Sequence, residues 1–326
     1  MRAPRICSGI QPSGALHLGN YFGAIRPQID HQDGAFLFIA DYHALTTLRD
    51  PVALDVNRLD AAATYLALGL DPSRATLFLQ SSVPEVTELT WILATVTPMG
   101  LLERAVSYKD RVGRNLPTNA GLFLYPALMA ADILAYRSEQ VLVGSDQVQH
   151  VEIARDIALA FHSAFRAEVF ALPKVALGVP VPIPGIDGAK MSKSYGNHIP
   201  IFASDAELEE KVMAIRTDSR RIEDPKIPEE DTVFALYSLF ASQAERDAMA
   251  ERYLHGGYGY GEAKRTLLEA IREHLGPARA RKDDWLRRKD ELRAILDEGA
   301  SRAREAARKT LLAARDAVGL SGEART

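Results

Sequence analysis

Cysteine is nearly absent: Cys7 is the single one in 326 residues. One thiol excludes an internal disulfide and any metal site built from several cysteines. Long apolar runs are missing too. Nothing approaches the ~18 residues that a membrane-spanning helix requires, so no membrane association is expected. A leader segment is not expected either, because Met1-Arg2-Ala3-Pro4-Arg5 runs almost directly into an apolar stretch, and the cytoplasm follows as the default location. Nor is there a large excess of either charge. The 39 Lys and Arg against 43 Asp and Glu leave a net charge of −4, which argues against a protein that simply coats nucleic acid. What remains, 47% hydrophobic and 25% charged residues, is an ordinary globular composition. A chain of 326 residues suffices for one large α/β domain with an appendage, or for two domains.

The charge is unevenly spread. Residues 271–326 hold 14 Lys and Arg against 10 Asp and Glu, so this tail is +4 and the rest of the chain −8. A basic, helix-like tail on an acidic body is compatible with a nucleic-acid contact confined to one end. A solvated helix face is the plainer explanation, and on charge alone the favoured one.

Short apolar runs at residues 5–10, 35–40, 75–80 and 140–143 each end in small or polar residues, and longer helix-like stretches such as 51–68 lie between them. This alternation predicts parallel strands joined by right-handed helical crossovers, hence an α/β fold with a doubly wound, Rossmann-like sheet. Ligands of such sheets bind beyond the carboxyl ends of strands. That directs attention to residues 11–20, 41–43 and 144–147. Residues 98–118, with Glu103, Arg104, Lys109, Asp110, Arg111 and Arg114, predict a helical excursion from the sheet. Beyond Ile201 the pattern is helical at 205–215, 232–242, 260–275 and 282–312, with a break at 253–260 where glycines and tyrosines cluster.

Two short segments carry the most chemistry. Pro12-Ser13-Gly14-Ala15-Leu16-His17-Leu18-Gly19-Asn20 follows the first strand and leads into a helix expected to start near Asn20. Such a turn turns backbone N–H groups and a helix start toward an anion, Gly14 and Gly19 allow close backbone approach, and His17 can donate to a phosphate. A strand-to-helix turn with an incidental histidine fits equally well. Lys190-Met191-Ser192-Lys193-Ser194 sets two lysines three apart among hydroxyls, in a stretch rich in Pro and Gly. Both ammonium groups can swing onto a polyphosphate such as that of ATP, although composition alone reads them as solvated lysines in a linker. Asp132 stands out for a different reason. It lies in the apolar helical run Met129-Ala130-Ala131-Asp132-Ile133-Leu134, where an unpaired carboxylate is costly and something must satisfy it: an internal partner, water, or a ligand.

The two segments resemble the paired signatures of the class I aminoacyl-tRNA synthetases. Further stretches resemble the tryptophanyl-tRNA synthetase family within that class: Ser8-Gly9-Ile10-Gln11-Pro12-Ser13-Gly14, Asp41-Tyr42-His43-Ala44, Tyr125-Pro126-Ala127-Leu128-Met129-Ala130-Ala131-Asp132-Ile133-Leu134, and Gly144-Ser145-Asp146-Gln147 followed by His150. The match runs in order from about residue 6 to about residue 319. It implies a nucleotide-binding catalytic domain over 1–200 and a helical anticodon-binding domain over 201–326, with the excursion at about 98–128 in the interface of a homodimer. It also implies His17, Asn20, Lys190 and Lys193 as catalytic residues. The ATP contacts it implies are Gln11, Pro12, Ser13, Gly19, Asn20, Gly144, Ser145, Asp146 and Val181, with Lys190, Met191, Ser192, Lys193 and Ser194. A tryptophan pocket is implied in Cys7, His43, Tyr125, Met129, Asp132, Val141, Val143 and Gln147, with Asp132 accepting the indole N–H. Two positions depart from the family: Asn20 stands where a second histidine is usual, and Cys7 where an aromatic residue is frequent.

The activity so implied is ATP-dependent activation of L-tryptophan and its transfer to tRNA(Trp). Mg²⁺ would travel with ATP, held by phosphates and water without a dedicated ligand set. Tyrosyl-tRNA synthetase shares both signatures and is the nearest rival, against which the setting of Asp132 and the wording of residues 11–14 speak. A paralogue that binds tRNA or a protein partner without charging activity is the second. The intact His17, Asp132 and Lys190–Ser194 favour retained chemistry.

Overall fold

A computed structural model of the chain describes residues 5–144, 147–177 and 182–321, apart from the side chain of Ser107. Its centre is a sheet of five parallel strands: β1 (Ile6–Ile10), β2 (Phe36–Ile39), β3 (Thr76–Leu79), β4 (Gln140–Val143) and β5 (Lys174–Leu177), in the order β3-β2-β1-β4-β5. The first four occupy the expected apolar runs. The fifth was not expected. Its four residues pair with β4, from Gln140↔Lys174 to Val143↔Leu177, and its apolar part is the three residues Val175-Ala176-Leu177. The chain lays β2 and β3 to one side of β1, then β4 and β5 to the other, so the order reverses between β1 and β4. In open parallel sheets this reversal leaves a crevice beyond the strand ends, where ligands bind. Register Cys7↔Val141 aligns β1 with β4, so residues 11–14 and Gly144 leave the sheet side by side.

The chain divides into two compact units. The first comprises Met1–Gly14, Pro27–Gly178 and Trp285–Thr326, and contains the sheet. The second comprises Ala15–Arg26 and Val179–Asp284, and is mainly helical. Residues on both sides of position 200 therefore pack together in the second unit. The last helix, Lys289–Val318, packs in the first unit against β3. The close seat is made at Gly299, where a Cβ would lie 1.9 Å from the Leu77 carbonyl oxygen. Four arginines of this basic tail are engaged within the same unit: Arg302 donates to the carbonyls of Pro72 and Ala75, and Arg293, Arg304 and Arg315 pair with Asp55, Glu85 and Glu88.

The expected excursion from the sheet is helical, as Met99–Glu103 and Val106–Gly113 followed by Ala120–Leu134. Asn119 caps this last helix by accepting from the Leu122 N–H at 2.8 Å, which satisfies one of the otherwise unpaired donors of its first turn. In the second unit a single helix, Tyr260–Arg287, runs through Gly276 and Pro277, where a break had been expected between 275 and 282.

Candidate active site

In the first unit, helix Ala120–Leu134 presents Tyr125, Met129 and Asp132 at spacings of four and three, which places them on one helical face. Asp132 is 1% exposed. Its Oδ2 accepts from Gln80 Nε2 at 2.7 Å and from His43 Nε2 at 3.0 Å. Gln80 is itself buried at the end of β3, and its Oε1 accepts from the backbone N–H groups of Tyr42 (3.0 Å) and His43 (3.4 Å). Burial pushes the Asp132 carboxyl up, and the hydrogen bonds from His43 and Gln80 oppose that rise. Nearby, the buried Asp41 accepts from the Ser81 backbone N–H (2.9 Å), the Ser81 hydroxyl (2.5 Å) and Arg58 (3.3 Å).

The His43 ring meets Tyr125 edge to face, with centroids 6.0 Å apart, and the Tyr125 hydroxyl bonds Nε2 of the buried His150. Cys7, Val141 and Val143 are buried in the main apolar cluster, with Met129 packed against it. For the two valines and Met129 the structure therefore shows core packing. The Cys7 thiol donates to the Asp132 carbonyl oxygen at 3.6 Å. Burial, followed by the Asp132 charge, pushes that thiol far up, so it is a packed group and not a nucleophile. Gln147 stands at the N-terminus of helix Val148–Phe165. Gln11 and Ser13 are exposed and Pro12 is buried between them. Ser145, Asp146 and Val181 lie outside the described residues.

In the second unit the two signature segments come together across 172 positions, where the Gly19 N–H meets the Met191 sulfur at 3.3 Å. Antiparallel pairing supports this approach: Leu18 N–H donates to Ile199 C=O and Ile201 N–H to Leu16 C=O, both at 2.9 Å. A Cβ on Gly19 would lie 2.9 Å from His17 Nδ1, so glycine is required there by crowding. Asn20 Oδ1 accepts from the His17 backbone N–H at 3.1 Å. Asn197, also buried, shapes the lysine segment. Its Oδ1 accepts from Ser192 N–H (2.8 Å), while Nδ2 donates to Lys190 C=O (3.1 Å) and Asp187 (2.8 Å). The Ser192 and Ser194 hydroxyls are 2.8 Å apart. His198 follows, its ring centroid 5.9 Å from that of His17. Burial, then the charges of Lys193 and His198, lower the His17 pKa to about 4; burial, then Lys211 and Lys193, lower that of His198. Among the described residues no group of three or more His, Cys, Asp or Glu side chains is placed to hold a metal ion.

The first unit thus holds a buried carboxylate that accepts from two internal donors, and the second holds the two signature segments against each other. The model of the tRNA synthetases class I (W and Y) matches residues 1–276. The chain belongs to that family. The synthetase is 54% identical to the tryptophan–tRNA ligase of Rhodopirellula baltica, over 97% of this chain and 99% of that one. Its fold is similar to a crystal structure of tryptophanyl-tRNA synthetase from Campylobacter jejuni complexed with ADP and tryptophan, with a TM-score of 0.89 and 46% identity, covering 97% and 100% of the two chains. A tyrosyl-tRNA synthetase from Archaeoglobus fulgidus complexed with L-tyrosine shares the fold at a TM-score of 0.67, with 23% identity and 86% and 90% of the two chains covered.

Sequence reasoning missed Gln80, Asn197 and His198 in the synthetase. A glutamine ending a strand and an Asn-His pair after Gly196 carry no local signal, since their partners are distant in the chain.

The depressed pKa of His17 has a measurable consequence for the synthetase. Between the ordinary value of 6.5 and about 4, the unfolded chain takes up a proton at this position that the folded chain refuses. Stability therefore falls as pH drops through that window, by up to about 3 kcal/mol for a shift of this size. Urea midpoints between pH 7.5 and 4.5 should fall less steeply for His17→Asn than for the parent. Parallel slopes would show that His17 does not titrate as its surroundings dictate.

Proposed function

We infer that the enzyme is a tryptophan–tRNA ligase. The tryptophan carboxylate oxygen attacks the α-phosphorus of ATP, the α–β P–O bond breaks, and pyrophosphate leaves, giving tryptophanyl-adenylate. A hydroxyl of the 3′-terminal ribose of tRNA(Trp) then attacks the activated carbonyl and AMP departs. No covalent enzyme intermediate is needed, so the side chains act by positioning and charge stabilisation. The observation that carries the reading is Asp132, a carboxylate 1% exposed whose Oδ2 accepts from Gln80 and His43. We assign it the indole N–H, a donor that phenylalanine lacks.

His17, Lys190 and Lys193 serve the phosphates, with Asn20 keeping the turn in shape through its bond to the His17 N–H. Mg²⁺ enters with ATP and neutralises phosphate charge. Gln11, Pro12, Ser13 and Gly144 follow the ends of β1 and β4, in keeping with contacts to the nucleotide, and Gln147 and Tyr125 offer polar atoms for the amino group. Residues 1–200 supply the chemistry in this reading and the helical residues 201–326 meet the anticodon.

A homodimer is favoured by the apolar side chains exposed around the excursion: Trp91, Met99, Val106, Val112, Leu116 and Leu124. No helix among the described residues is long and apolar enough to cross a membrane, and the cytoplasm is the proposed location. Amino-acid-dependent pyrophosphate exchange, followed by charging of tRNA, tests the function. Exchange with tryptophan supports it. Exchange with tyrosine would make the enzyme a tyrosine–tRNA ligase, and tRNA binding with no exchange a paralogue without charging activity.

A further inference from the structure

We propose that Gln80 is a positioning residue for amino-acid selection, because with His43 it holds Asp132 Oδ2 and so fixes the orientation in which the carboxylate presents Oδ1 to the ligand. This rests on the assignment of the indole N–H to Asp132. The Gln80 amide has one possible orientation. Its Oε1 receives the backbone N–H groups of Tyr42 and His43 at 3.0 and 3.4 Å, two donors that only an oxygen can meet. Its NH₂ group therefore points at Asp132 Oδ2, 2.7 Å away. A buried N–H facing a carboxyl oxygen at that distance needs an acceptor there.

His43 Nε2 reaches the same oxygen at 3.0 Å. Two donors thus converge on Oδ2, and Oδ1 accepts from neither of them. The same glutamine also joins the helix Asp41–Ala44 to Asp132, because the N–H groups it holds belong to Tyr42 and to His43. One side chain therefore sets two things: the position of His43 and the orientation of the Asp132 carboxylate. Gln80 itself touches no substrate; it acts through Asp132.

Gln80→Leu removes the donor with little change in volume. Gln80→Glu keeps an oxygen for the Tyr42 and His43 N–H groups but sets a second carboxylate against Asp132. The test uses the full chain in pyrophosphate exchange, comparing tryptophan with β-(3-benzothienyl)alanine, in which sulfur replaces the ring N–H. For the parent, tryptophan is preferred. For Gln80→Leu the preference should fall about tenfold, the effect of one lost buried hydrogen bond. The KM for tryptophan should rise by a similar factor, and the KM for ATP should stay within about twofold. Gln80→Glu should lose more, since a second carboxylate set against Asp132 Oδ2 repels it and turns the Asp132 carboxylate out of its orientation.

The preference ratio is taken on one sample, so a partly unfolded variant does not distort it. An unchanged ratio in Gln80→Leu and Gln80→Glu, with Asp132→Asn losing it, overturns the role of Gln80 and leaves Asp132 in place. A parent enzyme with no preference for tryptophan over the sulfur analogue overturns the assignment of Asp132, and the proposal with it.

Discussion

Lys193→Ala should slow tryptophan-dependent pyrophosphate exchange by about 10² to 10³ and leave the melting temperature nearly unchanged. In adenylation, negative charge grows on the departing pyrophosphate, so an ammonium group beside it binds the transition state more tightly than the ground state. The loss belongs in kcat more than in the KM for tryptophan, because the charge meets the leaving group and not the amino acid. Stability should be spared because the side chain is only half-buried, and substitutions at such positions cost little. A second readout is built into the second unit. The Lys193 charge is one of the causes that depress the pKa of His17, so in the alanine variant the His17 resonance should titrate at higher pH. Exchange kinetics equal to those of the parent would remove Lys193 from the chemistry. A slow variant with an unmoved His17 titration would show that the two loops do not meet in solution.

The parts of this enzyme that were legible in its sequence are those whose information is local. The β1 to β4 strands are short apolar runs ended by polar residues, and the phosphate segments keep glycine, histidine, lysine and hydroxyl residues within nine and five positions. The edge strand β5 was not legible: its apolar residues Val175-Ala176-Leu177 follow Pro173 and lead into a stretch rich in Pro and Gly, where local composition reads as loop. Helix Tyr260–Arg287 was expected to break near Gly276-Pro277 and does not. Proline removes one N–H and strains the turn before it, a local penalty that the packing of the buried Leu268, Ile271, Leu275 and Ala278 overrides. Lys289–Val318 reads as a basic surface helix, yet it packs on β3. Its one sequence clue is Gly299, a residue unfavourable by about 1 kcal/mol inside a helix unless a close approach requires it. Asp132 was legible as a residue in need of a partner, but Gln80 was not legible as that partner, since 52 positions separate them.

Asp132→Asn should cost the enzyme most of its choice of amino acid while sparing its fold. A site built around an acceptor for one substrate N–H rejects an analogue lacking that donor by about 10⁴ to 10⁵. The asparagine variant retains the shape but has one oxygen in place of two, and that oxygen can serve either the Gln80 and His43 donors or the indole. Truncating one partner of a buried hydrogen bond to a charged group costs about 3 to 4 kcal/mol of binding. At about 1.4 kcal/mol per factor of ten, kcat/KM for tryptophan should fall by about 10² to 10³. Phenylalanine never used the carboxylate, so its far slower exchange should change little, and the ratio between the two substrates should fall by the same factor of about 10² to 10³. Stability should move the other way. Burial holds the Asp132 carboxyl above its ordinary range, so the folded chain favours the protonated form and the charge at neutral pH works against folding, by the linkage between proton affinity and stability. A neutral amide removes that opposition. Thermal unfolding at pH 7 should therefore show Asp132→Asn as stable as the parent or more so. A variant that melts earlier and still selects tryptophan would make Asp132 a structural residue, and the tryptophan specificity would then have to reside elsewhere in the chain.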